Sequence, residues 1–279
     1  METITIISPK RKGSSILQKV TRIIKGPAQE RNKLLRIYTQ LAAARIFNFK
    51  PYFLNLSLSY QPDSASMLKA NLEFDKLFRG FTKHNKINNS GDISRLWSLI
   101  LNILQVIEEK IEGDFAELGV WRGNTASVMA NIAAKNNRSV YLFDTFEGFC
   151  DKDIKGVDAN KETAHFNDTS INLVKDVIGE DSKCCNFIKG YFPESLNESH
   201  KSKKYAVVSL DCDLYEPMKA GLSFFYPLMS KGGIFLLHDY SGWYWNGVKK
   251  AIDEFCKENG EFIVLMPDKS GSAFLRKSK

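Results

Sequence analysis

The sequence predicts an α/β fold with a seven-stranded, mostly parallel sheet, helices on both faces and a helical N-terminal extension. From residue 113 onward, short apolar runs alternate with helical patterns, which is typical of doubly wound sheets. Several of these runs end abruptly in carboxylates, as expected where open α/β sheets bind ligands at the carboxyl ends of their strands. The last two runs are joined by Asp268-Lys269-Ser270-Gly271, which predicts a hairpin at the end of the chain.

The first 112 residues carry the positive charge and predict helices. Residues 1–60 hold eleven Lys or Arg and two Asp or Glu, a net charge of +9, while the remainder nets −2. We therefore predict a basic extension over 1–60 and no nucleic-acid groove across the whole protein. A short amphipathic helix ends at Gly26-Pro27, and it either contacts an anionic membrane surface weakly or packs on the domain. Residues 61–112 predict a helical lid or dimerisation segment, with helices over 64–82 and 92–111.

Residues 113–279 predict one domain of alternating strands and helices. We expect strands near 114–118, 139–143, 186–188, 205–210, 233–237, 262–266 and 271–276. We expect helices near 124–135, 170–178, 217–225 and 246–258. Residues 149–169 form a long polar connection, and loops of that length are often lids over functional sites.

A glycine turn follows the first strand. Its spacing is Gly119-x-x-x-Gly123 rather than G-x-G-x-x-G, which counts against a nicotinamide-dependent oxidoreductase. Glycines let the backbone approach a ligand closely. Asp144 ends the next strand about 20 residues later, and an acid at that place suits a ribose diol.

Two further strands end in acidic residues. Asp211 and Asp213 follow one apolar run, and His238 and Asp239 follow another. If the strands are neighbours, these side chains meet, and carboxylates with one imidazole indicate a divalent metal. The alternative is that Asp211 and Asp239 cap the helices that follow them.

The order of the motifs resembles that of a known family. The motifs are Glu-Leu-Gly-Val-Trp-Arg-Gly (117–123), Phe-Asp-Thr-Phe-Glu-Gly-Phe (143–149), Lys-Gly-Tyr-Phe-Pro (189–193), Leu-Asp-Cys-Asp-Leu-Tyr-Glu (210–216) and His-Asp-Tyr (238–240). Together they resemble the macrocin O-methyltransferase family, over about residues 113–279. These are class I, Rossmann-like enzymes that use S-adenosylmethionine (SAM) and a divalent metal to methylate hydroxyls, often on sugars of natural products. The family usually has Asp-Asp-Tyr where this chain has His238-Asp239-Tyr240.

The resemblance implies roles for individual residues. Cofactor binding is expected of Glu117, Gly119, Trp121, Gly123, Asp144, Thr145, Phe146, Gly190, Tyr191, Phe192 and Asp211. Metal binding is expected of Asp211, His238 and Asp239, with Mg²⁺ preferred and Mn²⁺ or another transition metal left open by the imidazole. Catalytic roles are expected of Asp211, Asp213 and His238. Asp213 is the candidate general base, and His238 is a second candidate if it is not a metal ligand.

The sequence therefore predicts a SAM-dependent O-methyltransferase that acts on a sugar or glycosylated natural product. The alternative is a non-catalytic SAM-binding or scaffold protein, which the departure at His238 favours. No apolar stretch approaches the ~20 residues of a membrane span, and no signal-peptide pattern is found. We therefore expect a cytoplasmic protein with free cysteines, and we also expect a homo-oligomer.

Overall fold

A seven-stranded sheet lies between two layers of helices in the part of the chain that the structure describes. This computed structural model describes residues 73–279. The predictions for the basic extension, including its short amphipathic helix, lie outside the described residues, and so do residues 61–72 with the first part of the helix predicted over 64–82. Within 73–279, no helix combines the length and apolar character needed to cross a bilayer.

The elements follow the predicted alternation. The helices are α1 (Phe74–Thr82), α2 (Lys86–Asn89), α3 (Ile93–Glu108), α4 (Asn124–Lys135), α5 (Ile171–Ile178), α6 (Glu198–Lys201), α7 (Tyr215–Leu228) and α8 (Asn246–Asn259). The strands are β1 (Asp114–Leu118), β2 (Val140–Asp144), β3 (Cys185–Lys189), β4 (Tyr205–Leu210), β5 (Met229–Leu237), β6 (Val264–Leu265) and β7 (Ala273–Arg276). Three-residue 3₁₀ turns at Asp151–Asp153 and Gly156–Asp158 lie in the long connection after β2.

The sheet confirms the predicted fold class. Its strand order is β3-β2-β1-β4-β5-β7-β6, and the first five strands in that order are parallel. β7 runs antiparallel to both β5 and β6, which forms the predicted C-terminal hairpin. The chain direction across the sheet reverses between β1 and β4, and such a switch point opens a crevice at the carboxyl ends of the strands.

Each face of the sheet has its own apolar core. Helices α1, α3, α4 and α5 cover one face, and α7 and α8 cover the other. Successive β1 residues face opposite layers, since Phe115 belongs to the first core and Ala116 to the second. The predicted apolar stripe of α3 lies in the first core, where Leu96, Ile100 and Ile103 are fully buried.

Several element boundaries differ from the sequence-based expectation, and two of these differences have a clear physical cause. α3 ends at Glu108 because Lys110 adopts a left-handed backbone (φ 57°) and Ile111 donates its N–H to the Val106 carbonyl, which closes the helix as a Schellman motif. β6 is shorter than predicted because it lies at the edge of the sheet and pairs with β7 alone. Phe262, just before it, is 87% exposed.

The approach of β1 to β4 requires a glycine. Gly119 has φ +86°, and a Cβ there would lie 2.0 Å from the Asp211 carbonyl oxygen. A Cβ on Gly123 would lie 2.6 Å from Val174 Cγ1 on α5. Both glycines therefore allow close packing of the chain on itself, in addition to any approach of a ligand.

We predict that Gly119→Ala destabilises the protein by about 2–4 kcal/mol, because it combines left-handed strain with steric overlap. Gly260→Ala is the matched control, since Gly260 is left-handed (φ 64°, ψ 36°) and a Cβ there meets only the flexible end of the Lys279 side chain, at 3.0 Å. The control should lose only about 1 kcal/mol. Urea unfolding of both variants measures the difference, and equal losses would show that the contact with Asp211 does not matter.

Candidate active site

One cavity of about 420 Å³ lies at the carboxyl ends of the central strands, within the size range of small-molecule sites. Most of the predicted site residues line it: Glu117, Gly119, Trp121, Asp144, Thr145, Gly190, Tyr191, Phe192, Asp211, Asp213, His238 and Asp239. Gly123 and Phe146 are not among the lining residues. Phe146 is buried in the core between the sheet and the first helix layer.

Asp144 organises the turn between β1 and α4. Its Oδ2 atom accepts the backbone N–H groups of Val120 (2.7 Å) and Trp121 (2.9 Å), and its Oδ1 atom accepts that of Phe146 (2.6 Å). Trp121 and Phe146 have left-handed backbones, with φ 45° and 54°. The carboxylate therefore stabilises two strained turns, and Oδ1 can still accept a second donor such as a ribose hydroxyl.

Glu117 presents an unpaired carboxylate oxygen at the cavity. The residue is 1% exposed, and its Oε1 accepts a hydrogen bond from Ser209 Oγ at 3.2 Å. Its Oε2 is buried without a hydrogen-bond partner among the described residues. Burial, and then the nearby charge of Asp211, raise the pKa of Glu117 well above its usual value. A buried carboxylate without a partner calls for a cationic or hydrogen-bonding ligand, and the ammonium group of SAM fits that need.

The long connection after β2 covers the cavity. Phe149, Cys150, Asp153 and Phe166 from this segment line it. Asp153 accepts a hydrogen bond from the hydroxyl of Tyr191, at 2.7 Å. The connection after β2 therefore lies over the cavity, in the position expected of a lid.

Two further aspartates hold this segment in place. Asp158 is fully buried and accepts the Tyr215 N–H at 2.7 Å, so it caps α7 from outside that helix. Asp168 accepts the indole N–H of Trp121, at 2.7 Å, and also bonds Arg122. The segment is therefore tied both to α7 and to the turn after β1.

The aromatic residues after β5 divide between the cavity and the surface. Trp245 lines the cavity, with its ring 5.8 Å from that of Phe149. Trp243 is 88% exposed, and Tyr244 contacts the Lys161 ammonium, which lies 3.5 Å from its ring centroid. The cavity thus has one aromatic wall, formed by the predicted lid and Trp245.

The ends of β4 and β5 bring together the acidic cluster, which we define as Asp211, His238 and Asp239. His238 Nδ1 lies 2.7 Å from Asp211 Oδ1 and 2.7 Å from Asp239 Oδ2. The three ligand atoms lie within 4.8 Å of one another. Neither carboxylate accepts a hydrogen bond from the first turn of the following helix among the bonds described, which leaves the capping alternative without support.

Asp213 lies buried beside the acidic cluster. Its backbone is left-handed (φ 61°), as is that of Asp239 (φ 58°). Burial, and then the charges of Asp239 and Asp211, raise the pKa of Asp213 well above its usual value. Backbone strain of this kind often marks functional sites, and a raised pKa makes a carboxylate a stronger base.

Arg95, from the first turn of α3, was not predicted as a site residue. Its Nη1 contacts His238 Nε2, and its Nη2 donates to Asn89 Oδ1 at 2.8 Å. The polar run Asn88-Asn89-Ser90-Gly91-Asp92 just before α3 was a signal that this end of the helix faces something polar. The first turn of α3 and the loop before it therefore form one wall of the cavity.

Two influences oppose each other at His238. Although burial disfavours the charged ring, Asp211 and Asp239 raise the pKa of His238 well above its usual value. However, a guanidinium can only donate hydrogen bonds, so the contact with Arg95 requires an acceptor at Nε2 and hence a neutral ring. The positive charge of Arg95 also opposes a charged imidazole, so this contact favours the neutral ring.

The acidic cluster fits a divalent metal only in part. Two carboxylates and an imidazole are a suitable donor set. A histidine that binds a metal through one nitrogen normally donates the other N–H to an acceptor. Here the other nitrogen faces the donor Arg95, so the arrangement around His238 does not fit a bound metal as it stands.

Comparison with known proteins identifies the family. The sequence profile of the Macrocin-O-methyltransferase (TylF) family matches residues 90–267, more than half of the chain. The chain belongs to this family. The match begins before β1 and includes α3, so Arg95 lies inside the region that the family shares.

The relatives and solved structures agree with this assignment. The chain is 28% identical over 177 residues to the demethyldecarbamoylnovobiocin O-methyltransferase of Streptomyces niveus, covering 58% of this chain and 65% of that protein. It is 27% identical over 160 residues to the 8-demethyl-8-(2,3-dimethoxy-alpha-L-rhamnosyl)-tetracenomycin-C 4'-O-methyltransferase of Streptomyces olivaceus, covering 53% and 61%. The chain thus spans less than two thirds of the length of these relatives. The structure of the O-methyltransferase NovP shares the fold, with TM-score 0.58, 24% identity and coverage of 68% of this chain and 82% of that one.

We predict that Asp144→Ala weakens SAM binding by about 10- to 100-fold, equivalent to roughly 1.4–2.8 kcal/mol. The loss has two physical sources, since the variant removes the expected ribose acceptor and frees three backbone N–H groups in the turn. Titration calorimetry with SAM measures it. Asp176→Ala, on the exposed surface of α5, is the control and should bind SAM as the unaltered protein does. Unchanged affinity in a folded Asp144→Ala protein would exclude the ribose role.

Proposed function

We propose that this protein is a SAM-dependent O-methyltransferase that methylates a sugar hydroxyl of a glycosylated small molecule. The observation that carries the proposal is that one cavity is lined both by Glu117, whose Oε2 has no partner among the described residues, and by Asp213 and the acidic cluster. Family membership supports the activity, and the name of the rhamnosyl-tetracenomycin relative supports a sugar acceptor.

The cofactor end of the cavity is formed by β1, β2 and the segment after β3. We propose that Glu117 Oε2 accepts the ammonium group of SAM and that Asp144 Oδ1 accepts a ribose hydroxyl. Tyr191 and Phe192 line the cavity beside them, and Phe192 is held by ring contacts with Phe143 and Phe225. Bound SAM supplies an electrophilic methyl group on a sulfonium ion.

The acceptor end supplies the base and holds the hydroxyl. We propose that Asp213 accepts the hydroxyl proton of the acceptor, since it lies buried beside the acidic cluster and its raised pKa makes its carboxylate a stronger base. Carboxylate oxygens of the acidic cluster position the same hydroxyl. Phe149 and Trp245 offer the sugar an apolar face. Fixed alignment of the acceptor with the methyl group can contribute several kcal/mol to catalysis.

Several finer predictions stand without a test. Assistance by a divalent metal is supported by the donor set of the acidic cluster and opposed by the contact of Arg95 with His238. A homo-oligomer, a weak membrane contact through residues 1–60 and a cytoplasmic location stay predictions.

The proposed function is tested by transfer of a labelled methyl group. The full chain is incubated with methyl-labelled SAM and a panel of glycosides that carry free sugar hydroxyls, and the products are separated by chromatography. Label in a methyl ether on the sugar supports the proposal. Binding of SAM without transfer to any member of the panel would favour the non-catalytic scaffold instead.

We predict that Asp213→Asn lowers kcat by about 10²- to 10⁴-fold, because the amide cannot take the proton. In the unaltered enzyme, the raised pKa of Asp213 should appear as a fall in kcat as the pH drops through that pKa, since only the carboxylate form is a base. A pH profile checks this. Asp253→Asn on α8 is the control and should keep the profile. If Asp213→Asn retained both the rate and its acid limb, the base would be another group.

A further inference from the structure

We propose that Arg95 is a built-in cation that keeps the acidic cluster free of divalent metal. Its guanidinium supplies a positive charge beside the place where the sequence predicts a metal ion. It also fixes the tautomer of His238. The proposal concerns cation binding and does not depend on methyl transfer.

The hydrogen bond from Arg95 fixes the position of the ring hydrogen of His238. Arginine has donors only, so His238 Nε2 accepts from Arg95 Nη1. The ring hydrogen is therefore on Nδ1. There it points between Asp211 Oδ1 and Asp239 Oδ2, each 2.7 Å from Nδ1. One hydrogen thus occupies the point where the three candidate ligand atoms converge.

A metal bound to either ring nitrogen of His238 conflicts with this arrangement. A metal on Nδ1 would displace that hydrogen and leave an N–H at Nε2, pointing at the guanidinium donor. A metal on Nε2 would need the position that Arg95 Nη1 holds. In both cases Arg95 must leave before a metal can bind.

Contacts with several neighbouring residues hold the Arg95 side chain in place. Its side chain is 13% exposed, its Nη2 donates to Asn89, and its guanidinium lies 5.0 Å from the centroid of the Phe81 ring. Its Nε lies 3.7 Å from Asp92 Oδ2. Asn89 and Asp92 are themselves buried, so the guanidinium is bound by a preformed pocket rather than by mobile surface groups.

The charge of Arg95 also reduces the attraction of the acidic cluster for cations. Asp211 and Asp239 carry two negative charges, and the guanidinium contacts the imidazole that lies between them. Removing this positive charge and its N–H donors should therefore favour metal binding twice, by charge and by freeing Nε2.

The test is a Mn²⁺ titration of the full chain, followed by electron paramagnetic resonance of the free ion. Arg95→Met removes the charge and the donors and keeps the length of the side chain. We expect it to bind Mn²⁺ at least about tenfold more tightly than the unaltered protein. Arg276→Met is the matched control, because Arg276 bonds the Gly232 carbonyl and Glu109 and has no described contact with the acidic cluster. The control should bind Mn²⁺ as the unaltered protein does.

Calorimetry with SAM checks that each variant is folded. If Arg95→Met does not fold, Arg95→Gln serves instead, since its amide can still contact Asn89, and the same outcomes apply. Equal Mn²⁺ affinity in the unaltered and Arg95 variant proteins would overturn the proposal, and so would the absence of binding in both. Nitrogen NMR of the His238 ring gives a second readout. A hydrogen on Nε2 of the metal-free protein would also overturn the proposal.

Discussion

The close approach of β1 and β4 at their carboxyl ends is the constraint on which the rest of the site depends. Gly119 lies against the Asp211 carbonyl, and the backbone N–H of Asp211 donates to the Leu118 carbonyl. This contact places the turn after β1 beside the acids that follow β4. Because β1 and β4 flank the point where the strand order reverses, no helix connection crosses the crevice between them. A ligand held by Glu117 can therefore extend to Asp213 within one cavity.

Electrostatic repulsion between carboxylates sets the second requirement of this site. Glu117, Asp144, Asp211, Asp213 and Asp239 all line the same cavity, and burial makes each negative charge costly. This cost is reduced by different neighbours at different acids. Asp144 receives three backbone N–H groups, Asp211 lies beside His238, and the pKa values of Glu117 and Asp213 are raised. The pKa shifts differ because the neighbours differ: although burial opposes it, the neighbouring His238 lowers the pKa of Asp211, whereas burial raises the pKa values of Glu117 and Asp213.

The sequence predicted the sheet and the strand-end acids because both depend on local patterns. Apolar runs of strand length, separated by helical periods, define a doubly wound sheet, and the residue after each run is then fixed at its carboxyl edge. Arg95 could not be found in this way, since it meets His238 across 143 positions of sequence and belongs to a helix whose pattern indicates only core packing. The cap that Asp158 provides for α7 was hidden for the same reason. The sequence identified Gly119 and Gly123 in the turn after β1. It could not show that the atoms closest to them belong to Asp211 and Val174 rather than to a ligand, because glycine spacing is the same in both cases.

Asp158 and Asp168 fix the predicted lid at two points. The residues between these points can therefore change in number more easily than the two fixed positions can change in identity. Asp158 is enclosed between the start of α7 and Gly247, where any larger side chain would collide with its carboxylate. Asp168 is bound to the turn that carries Trp121. The stretch over 159–164 between them is mostly exposed. Insertions or deletions there would change the shape of the cavity entrance near Tyr244 and Trp245, while the contacts of Asp158 and Asp168 stay unchanged. Under the proposed function, acceptor preference could therefore change with the length of this loop without disturbing the end of the cavity formed by β1 and β2.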